Sequence, residues 1–429
     1  MGDSILNNNL AVIILAAGKG IRMKSDLPKI LHPIAGRPML GYALDLVKGL
    51  KPKLQICVLG NKSELVRDYI RKQNNTIKIV MQGRLLGTAD AVKKTKPILK
   101  NFRGNVLVLY TDNPLLTLKT LKRLIKRHRD ARADITLLTA DLAKPEGFGR
   151  IIRDRSYNIM QIVEDIQANE YEKQIKEINT GLSCYNKDRL FWALERVKLN
   201  PRKKEYYLTD VINISYKRGA IIESLKLDDP EEALGINKQS DLSQAERVTQ
   251  QRLLKELMDR GARIIDSNST WVCWDTKIGE GSIVYPFTVI ERNVKIGKNC
   301  RIGPFCHLRN GVTIDNNSVI GNFVEVSRSK INQGTVAKHF CYLGDSQIGK
   351  GVNIGAGTVT ANYDGKRKAV TIIKDKAFIG SDTIFVAPVN VGRGAKTGAG
   401  AVVTKNQDIP ANTTVVGVPA KPLAKKRRR

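Results

Sequence analysis

The chain lacks any hydrophobic run long enough to span a bilayer, and Met1 to Asn9 is polar rather than a charged region ahead of an apolar signal core. Position 6 is Leu6, not the Ser or Thr that a myristoylation signal beginning Met1-Gly2 needs. These absences make the cytoplasm the expected location. The 6 cysteines form no Cys-x-x-Cys pair and lie near no histidine cluster, so neither a zinc site nor a disulfide framework is indicated. Acidic residues are few beside basic ones, 41 against 72, which leaves a formal charge of +31. Such a balance attracts anions broadly, nucleic acid included. Against nucleic acid as a partner stand the aromatic content of only 6%, the lack of a recognisable binding module and the spread of Lys and Arg along the whole chain.

What is present is a chain of 429 residues, enough for about two to three domains with real cores. Near its start Ala11-Val12-Ile13-Ile14-Leu15 has the apolar, partly β-branched character of a strand buried on both faces. It runs into Ala16-Ala17-Gly18-Lys19-Gly20, where small residues keep side chains off the backbone and let successive N–H groups turn on an anion. Arg22 and Lys29 follow and add full positive charge. The stretch is not a Walker loop, which ends in Gly-Lys-Ser/Thr, nor a dinucleotide fingerprint, since the third glycine is missing. Its chemistry suits phosphates whose oxygens gain charge during reaction.

Beyond it, strand-like segments (54–59, 77–81, 106–110, 135–139) alternate with helix-like ones (39–50, 62–73, 118–132), the pattern of a doubly wound parallel sheet. Ligands of such sheets sit beyond the carboxyl ends of the strands. Asp112 falls at one of those ends, where a carboxylate is well placed to hold a divalent cation, Mg2+ above all, against substrate phosphates. Gln82 and Gly87 fall beyond another; a glutamine amide both donates and accepts, as a pyrimidine edge requires.

Residues 241–260 read as one helix, with Asp241 and Gln244 forming a capping box and Gly261 as its stop. After it aliphatics recur every six residues, from Val272, Ile278 and Val284 through Val326, again at Ile348 and Ile354, and from Ile373 to Val415 with Thr397 as the one polar member. Four residues after each of the first run comes a smaller side chain, Thr276, Ser282 and Thr288 among them, with Cys300 and Cys306 in the same slot. Two inward positions per edge, one large and one small, describe a narrow parallel β-helix and explain those cysteines as packing. The rhythm breaks at 327–347 and 361–372, which read as loops thrown out of the coil and therefore as places for a ligand site. The first break contains His339, whose side-chain type can take a proton near neutrality.

Together these segments resemble the bifunctional N-acetylglucosamine-1-phosphate uridyltransferase/glucosamine-1-phosphate acetyltransferase family, through Leu15-Ala-Ala-Gly-Lys-Gly-Ile-Arg-Met23 with Pro28-Lys29, and through His339-Phe-Cys-Tyr-Leu-Gly-Asp345. The resemblance implies an α/β doubly wound, Rossmann-like nucleotidyltransferase domain over 1–238, a linker helix over 239–262, and over 263–429 a left-handed parallel β-helix of hexapeptide repeats that assembles into a homotrimer. It implies UTP and acetyl-CoA as co-substrates and Mg2+ held by Asp112 and Asn237. Leu15, Ala16, Ala17, Gly18, Gln82, Gly87 and Thr88 would bind the nucleotide, with Arg22 and Lys29 as catalytic cations. Tyr110, Thr111, Gly149, Glu164, Asn179 and Asn237 would hold the sugar phosphate. In the second half His339 would be the general base, Arg309, Tyr342 and Asn353 would hold glucosamine 1-phosphate, and Ala356, Asn362, Tyr363, Ser381 and Ala399 would line the acetyl-CoA site.

Three departures from the family pattern stand out: Ile21 for the usual Thr, Thr111 for the usual Gly, and Ser327 for a phosphate-binding Lys, with Arg328 and Lys330 nearby. Two other enzyme readings stay open at this point, a nucleotidyltransferase with a merely oligomerising β-helix and one with an acyltransferase for another acceptor. The basic tail 421–429 reads as a solvated end or as an arm toward coenzyme A phosphates.

Overall fold

The computed structural model describes residues 9–18, 20–60, 63–74, 76–201 and 203–423. Lys19, the start of the expected helix at Lys62 and most of the basic tail lie outside them, as does nearly all of the polar N-terminus. The chain divides into two compact units, 1–248 and 249–429, and the division falls inside the helix Gln239–Asp259.

In the first unit a 9-stranded sheet is ordered Ile222–Lys226, Ile135–Asp141, Glu177–Asn186, Asn105–Tyr110, Leu10–Ala16, Leu54–Leu59, Lys78–Met81, with Gly149–Arg153 and Ile159–Val163 attached at Glu177–Asn186. Leu10–Ala16 is buried at every position and is paired in parallel on both sides, with Leu54–Leu59 and with Asn105–Tyr110. Its alternate side chains enter two separate apolar layers, Val12 and Ile14 on one face, Ala11 and Ile13 on the other, as a doubly wound sheet demands. Helices Met39–Leu50, Glu64–Gln73 and Leu118–Asp130 cover it within two residues of their expected ends. The sheet is not wholly parallel, however: Glu177–Asn186 runs antiparallel to both of its long neighbours. Glu177–Asn186 holds only two β-branched residues, Ile178 and Thr180, so neither the strand nor its direction was marked in the pattern.

The expected capping box is absent. The helix begins at Gln239, two residues before Asp241, and Asp241 Oδ2 turns back to accept from the amides of Asn237 (2.9 Å) and Lys238 (3.1 Å). An aspartate in a first helical turn is favoured by the macrodipole as well as at a cap, and here it fixes the segment carrying Asn237.

In the second unit three parallel sheets of 10, 8 and 7 strands share one coil, the first ending in an antiparallel pair. Successive coils align aliphatic on aliphatic, Ile290 on Leu308 on Val326 and Ile296 on Ile314 on Ile331. Both inward positions are buried as expected, the small slot including Ser282, Cys300 and Ser318 at 0% exposure. Burial raises the Cys341 thiol to about 12, so it packs rather than reacts. Thr397, the polar member, is satisfied inside the coil: its Oγ1 accepts from the Gly380 amide at 2.9 Å and pairs with Thr383 Oγ1 at 2.8 Å.

Residues 327–347 are not an outward loop, contrary to the reading of the rhythm. Val326 pairs with Leu343, and Ile331 with Ile348, so the coil continues through the segment. Two steps are merely five residues long, 326 to 331 and 343 to 348. Arg328 (φ +49°) and Asp345 (φ +46°) make these tight corners in the left-handed region. Ser329 Oγ, donating to the Leu343 carbonyl (3.1 Å) and accepting from the Ser346 amide (2.9 Å), satisfies the backbone there. Of the two breaks, 362–370 does leave the coil, closed on itself by a Tyr363–Lys368 bridge.

Leu308 is fully buried in this column. Leu308→Ala is expected to cost about 2–5 kcal/mol, read as a lower urea midpoint for the transition of the second unit.

Candidate active site

The central strand Leu10–Ala16 ends in the loop that carries Ala17 and Gly18. Gly20 adopts φ +64°, and a Cβ there would fall 2.6 Å from Lys29 Cβ. A glycine is thus what lets the Lys29 segment close on the loop. Lys29 Nζ then donates to Asp112 Oδ2 at 2.8 Å and to Asn237 Oδ1 at 3.0 Å, and Arg22 Nη2 donates to the same Asn237 oxygen at 2.9 Å. Four residues named from the sequence therefore meet directly. The Lys29 side chain is 11% exposed and that of Asp112 27%, so the pair sits at the rim of the sheet rather than in its core.

Thr111 turns away from this cluster. Its hydroxyl donates to the Leu15 carbonyl at 3.1 Å and the residue is buried, so the departure from glycine stitches two neighbouring strands instead of crowding the cluster. Ile21 is 76% exposed and makes no part of the contact set.

A second group lies around the loop after Lys78–Met81. Gln82 is buried, and its Nε2 donates to the Gly87 carbonyl (3.0 Å) and to Asp90 Oδ2 (2.8 Å). Gly87 has φ +99°, and a Cβ would meet the Tyr206 carbonyl at 2.5 Å. The segment 206–208 is strapped across the loop: Tyr206 N donates to Leu86 O, Ala89 N to Tyr206 O, and Leu208 N to Thr88 Oγ1. Thr88 also bonds Tyr110, whose phenol burial pushes well above its ordinary pKa. Tyr110 in turn lies against Gly181, which has no side chain to keep the ring away, and Gly181 N donates to Asn179 Oδ1 at 3.1 Å. Glu164 accepts from Thr209 Oγ1 at 2.8 Å, lies beside Gly149, and has its pKa raised chiefly by burial. Asp90 and Asp241 are the supporting residues that motif reading did not assign to this site; only their spacing from assigned residues could have marked them.

On the β-helix the expected residues separate by corner. The register Ala337 on Ile354 on Ile379, with Phe378 on Lys396, places His339, Ala356, Ser381 and Ala399 in one column on successive coils. His339 is exposed, and its neighbour Lys338 joins Arg301, Phe305 and Phe323 in lining a groove of about 640 Å³. Arg309 and Tyr342 belong to the next face, where Arg309 pairs with Glu325 at 3.1 Å and Glu325 aligns with Tyr342. Asn353 lies on the preceding face and Asn362 at the far corner, hydrogen-bonded to Asp345. Ser327 is buried and accepts from Arg328 Nη1 at 2.8 Å; Arg328 is held bidentately by Asp345 and also reaches Tyr342, whereas Lys330 is on the third sheet. A single chain thus brings together the His339 column, but not all the residues expected at the acetyl site.

A family model described as nucleotidyl transfer, "Nucleotidyl transferase", matches residues 11–229, and models of hexapeptide repeats match 275–308, 293–328 and 370–405. The bifunctional protein GlmU of Geotalea uraniireducens is 38% identical over 95% of this chain and 96% of its own length. The GlmU proteins of Thermotoga maritima (39%, 95% and 96%) and Pelotomaculum thermopropionicum (41%, 89% and 90%) are similar to it in the same way. The chain belongs to the GlmU family. It is accordingly an enzyme with a nucleotidyltransferase domain and a left-handed hexapeptide β-helix.

Gly20→Ala is expected to cost roughly 1–2 kcal/mol for its left-handed backbone alone. Because the new Cβ displaces Lys29, the same variant is expected to lose nucleotidyl transfer at least about tenfold while remaining folded, measured as pyrophosphate release beside a urea melt.

Proposed function

We propose that the chain makes UDP-N-acetylglucosamine, acetylating glucosamine 1-phosphate from acetyl-CoA on the β-helix and coupling the product to UTP on the nucleotidyltransferase domain. The observation that carries the reading is the meeting of Arg22, Lys29, Asp112 and Asn237 at the end of the central strand. Nucleotidyl transfer needs no covalent protein intermediate: the sugar phosphate oxygen attacks the α-phosphorus and pyrophosphate leaves. The protein's part is positioning and charge. Lys29 and Arg22 receive phosphate oxygens, and the half-buried polar group of Glu164, Thr209 and Asn179 beside Gly149 orients the sugar by hydrogen bonds.

The donor set fits Mg2+. Asp112 Oδ2 and Asn237 Oδ1 both point at one ammonium, at 2.8 and 3.0 Å, so two hard oxygens already converge on a positive charge. Among the described residues no cluster of three or more His, Cys, Asp or Glu could form an all-protein cage. Two protein oxygens supplemented by phosphate are the usual arrangement for this ion. When bound it would neutralise charge on the phosphates of the nucleotide.

For acetyl transfer the amine of glucosamine 1-phosphate attacks the thioester carbonyl, the C–N bond forms, the C–S bond breaks, and His339 takes the proton of the attacking nitrogen. The distribution of Arg309, Tyr342, Asn353, Asn362 and Tyr363 over several faces and corners supports a site completed between copies, hence a homotrimer. A cytoplasmic location suits all of these substrates, and no described helix is long and apolar enough to cross a membrane.

Asp112→Ala is expected to lower nucleotidyl transfer about 100- to 1,000-fold without unfolding the domain, since charge stabilisation and not packing is lost. Near-normal turnover in that variant removes the metal assignment. In an assay with glucosamine 1-phosphate, acetyl-CoA and UTP, omission of each in turn should abolish UDP-N-acetylglucosamine. His339→Ala should lose thiol release from acetyl-CoA while still coupling supplied N-acetylglucosamine 1-phosphate to UTP; thiol release independent of the amino sugar would overturn the acceptor assignment.

A further inference from the structure

The nucleotide loop contains a carboxylate that the transfer chemistry above does not use. Asp90 lies on the short helix Thr88–Lys93, its side chain 13% exposed, and its Oδ2 is 2.8 Å from Gln82 Nε2. The other neighbour of that amide nitrogen is the Gly87 carbonyl at 3.0 Å. Both neighbours can only accept hydrogen bonds, one being a carboxylate and the other a carbonyl. The chemistry of the pair therefore dictates which end of the Gln82 amide faces them: it is the nitrogen, and both of its hydrogens are used. The oxygen Oε1 has no partner among the described residues and is the end left for a ligand.

Neither acceptor is free to drift. Gly87 is fixed by the Tyr206 strap on both sides, through Leu86 O and Ala89 N, and the Asp90 carboxylate is anchored in the first turn of its helix. Gln82 itself is 2% exposed, so turning its amide over would leave a buried oxygen against two other oxygens.

Resting on the uridylyl transfer reading, we infer that Asp90 is the positioning residue that sets base specificity, by locking Gln82 so that it offers the base an acceptor only. Such a site takes a base whose edge carries a ring N–H, as the N3–H of uracil or thymine does. Cytosine presents a bare ring nitrogen at the same place, and two lone pairs then face each other. Guanine's N1–H also meets the requirement, so the lock sorts bases by the proton on the edge and not by ring size. It equally predicts that UTP and dTTP are not separated by this residue.

The test is kcat/KM for UTP and for CTP with N-acetylglucosamine 1-phosphate, on the full chain and on Asp90→Ala and Asp90→Asn. The wild-type chain should prefer UTP strongly. Asp90→Ala removes one of the two acceptors that hold the nitrogen inward, so turning the amide over sets its oxygen against the Gly87 carbonyl alone, and the UTP:CTP ratio should fall about 10-fold. Asp90→Asn can turn either its oxygen or its amide nitrogen toward Gln82, so it holds the lock only in part, and its ratio should fall between those of wild type and Asp90→Ala. A merely structural role for Asp90 would lower both rates together and leave their ratio alone. A folded Asp90→Ala variant with the wild-type ratio, whatever its absolute rates, overturns the inference and leaves uridylyl transfer standing, as does a wild-type chain indifferent to UTP and CTP. A wild-type chain that couples no UTP overturns the functional reading and the inference together. Should Asp90→Ala melt before assay, Asp90→Ser, whose hydroxyl donates or accepts and so permits both amide orientations, is read in the same way.

Discussion

One ammonium group, Lys29 Nζ, ties together segments separated by 83 and 208 residues, through Asp112 and Asn237. The arrangement depends on a backbone position without a side chain, because Gly20 must lie where a Cβ would touch Lys29. It also depends on Asp241, whose carboxylate holds the amide of Asn237 from the other side. A partly buried ion pair contributes little net stability once desolvation is counted, whereas stripping one partner leaves an uncompensated charge. Its value here is organisational. On the reading proposed above, the cation that would face phosphate and the oxygens that would face a metal ion neutralise one another without substrate, so these residues stand together before any ligand arrives.

The β-helix solves a different problem, the placement of chemistry on a surface that repeats. Because every inward residue is fixed by its pairing with the coils before and after, one residue gained or lost moves a side chain from core to solvent. The two five-residue steps take up such losses at left-handed corners and restore the register at Ile331 and Ile348. His339 sits between them. Its stacking with Ala356, Ser381 and Ala399 is a consequence of that restored register and of nothing in the local sequence around the histidine.

This difference decides what could be read from residues alone. The central strand, the glycine loop, the three large helices and the uninterrupted six-residue rhythm are local patterns, and they stand in the structure nearly where the pattern puts them. Arg22, Lys29 and Asp112 were also legible, since cations and a strand-end carboxylate have few packing roles, whereas Asn237 joined them only through the family resemblance. What failed to show was anything set by direction or register. Glu177–Asn186 gave no sign of running antiparallel, Asp241 looked like a forward cap because aspartate suits both positions, and Thr111 was assigned to the ligand side when its hydroxyl bonds a neighbouring strand. The missing residues at 326–331 and 343–348 turned a continuous coil into an apparent loop. Asp90 was silent for a further reason: its role lies in which end of another side chain it faces.

The same physical contrast bears on how the two activities relate to assembly. In the nucleotidyltransferase half, Gln82, Glu164, Tyr110 and Lys29 are held by contacts within one compact unit, with burial strong enough to raise Glu164 and Tyr110 above their ordinary pKa values. In the β-helix half the proposed base is exposed and the proposed acceptor and coenzyme A contacts occupy separate edges of a three-sided coil. A thioester attacked by an amine must be kept from water, and a proton-accepting histidine must be held over the attacking nitrogen. One convex corner does neither. On the reading proposed above, the wall that excludes water has to come from another copy of the chain, so the acetyl site is a property of the assembly while the uridylyl site is a property of the fold.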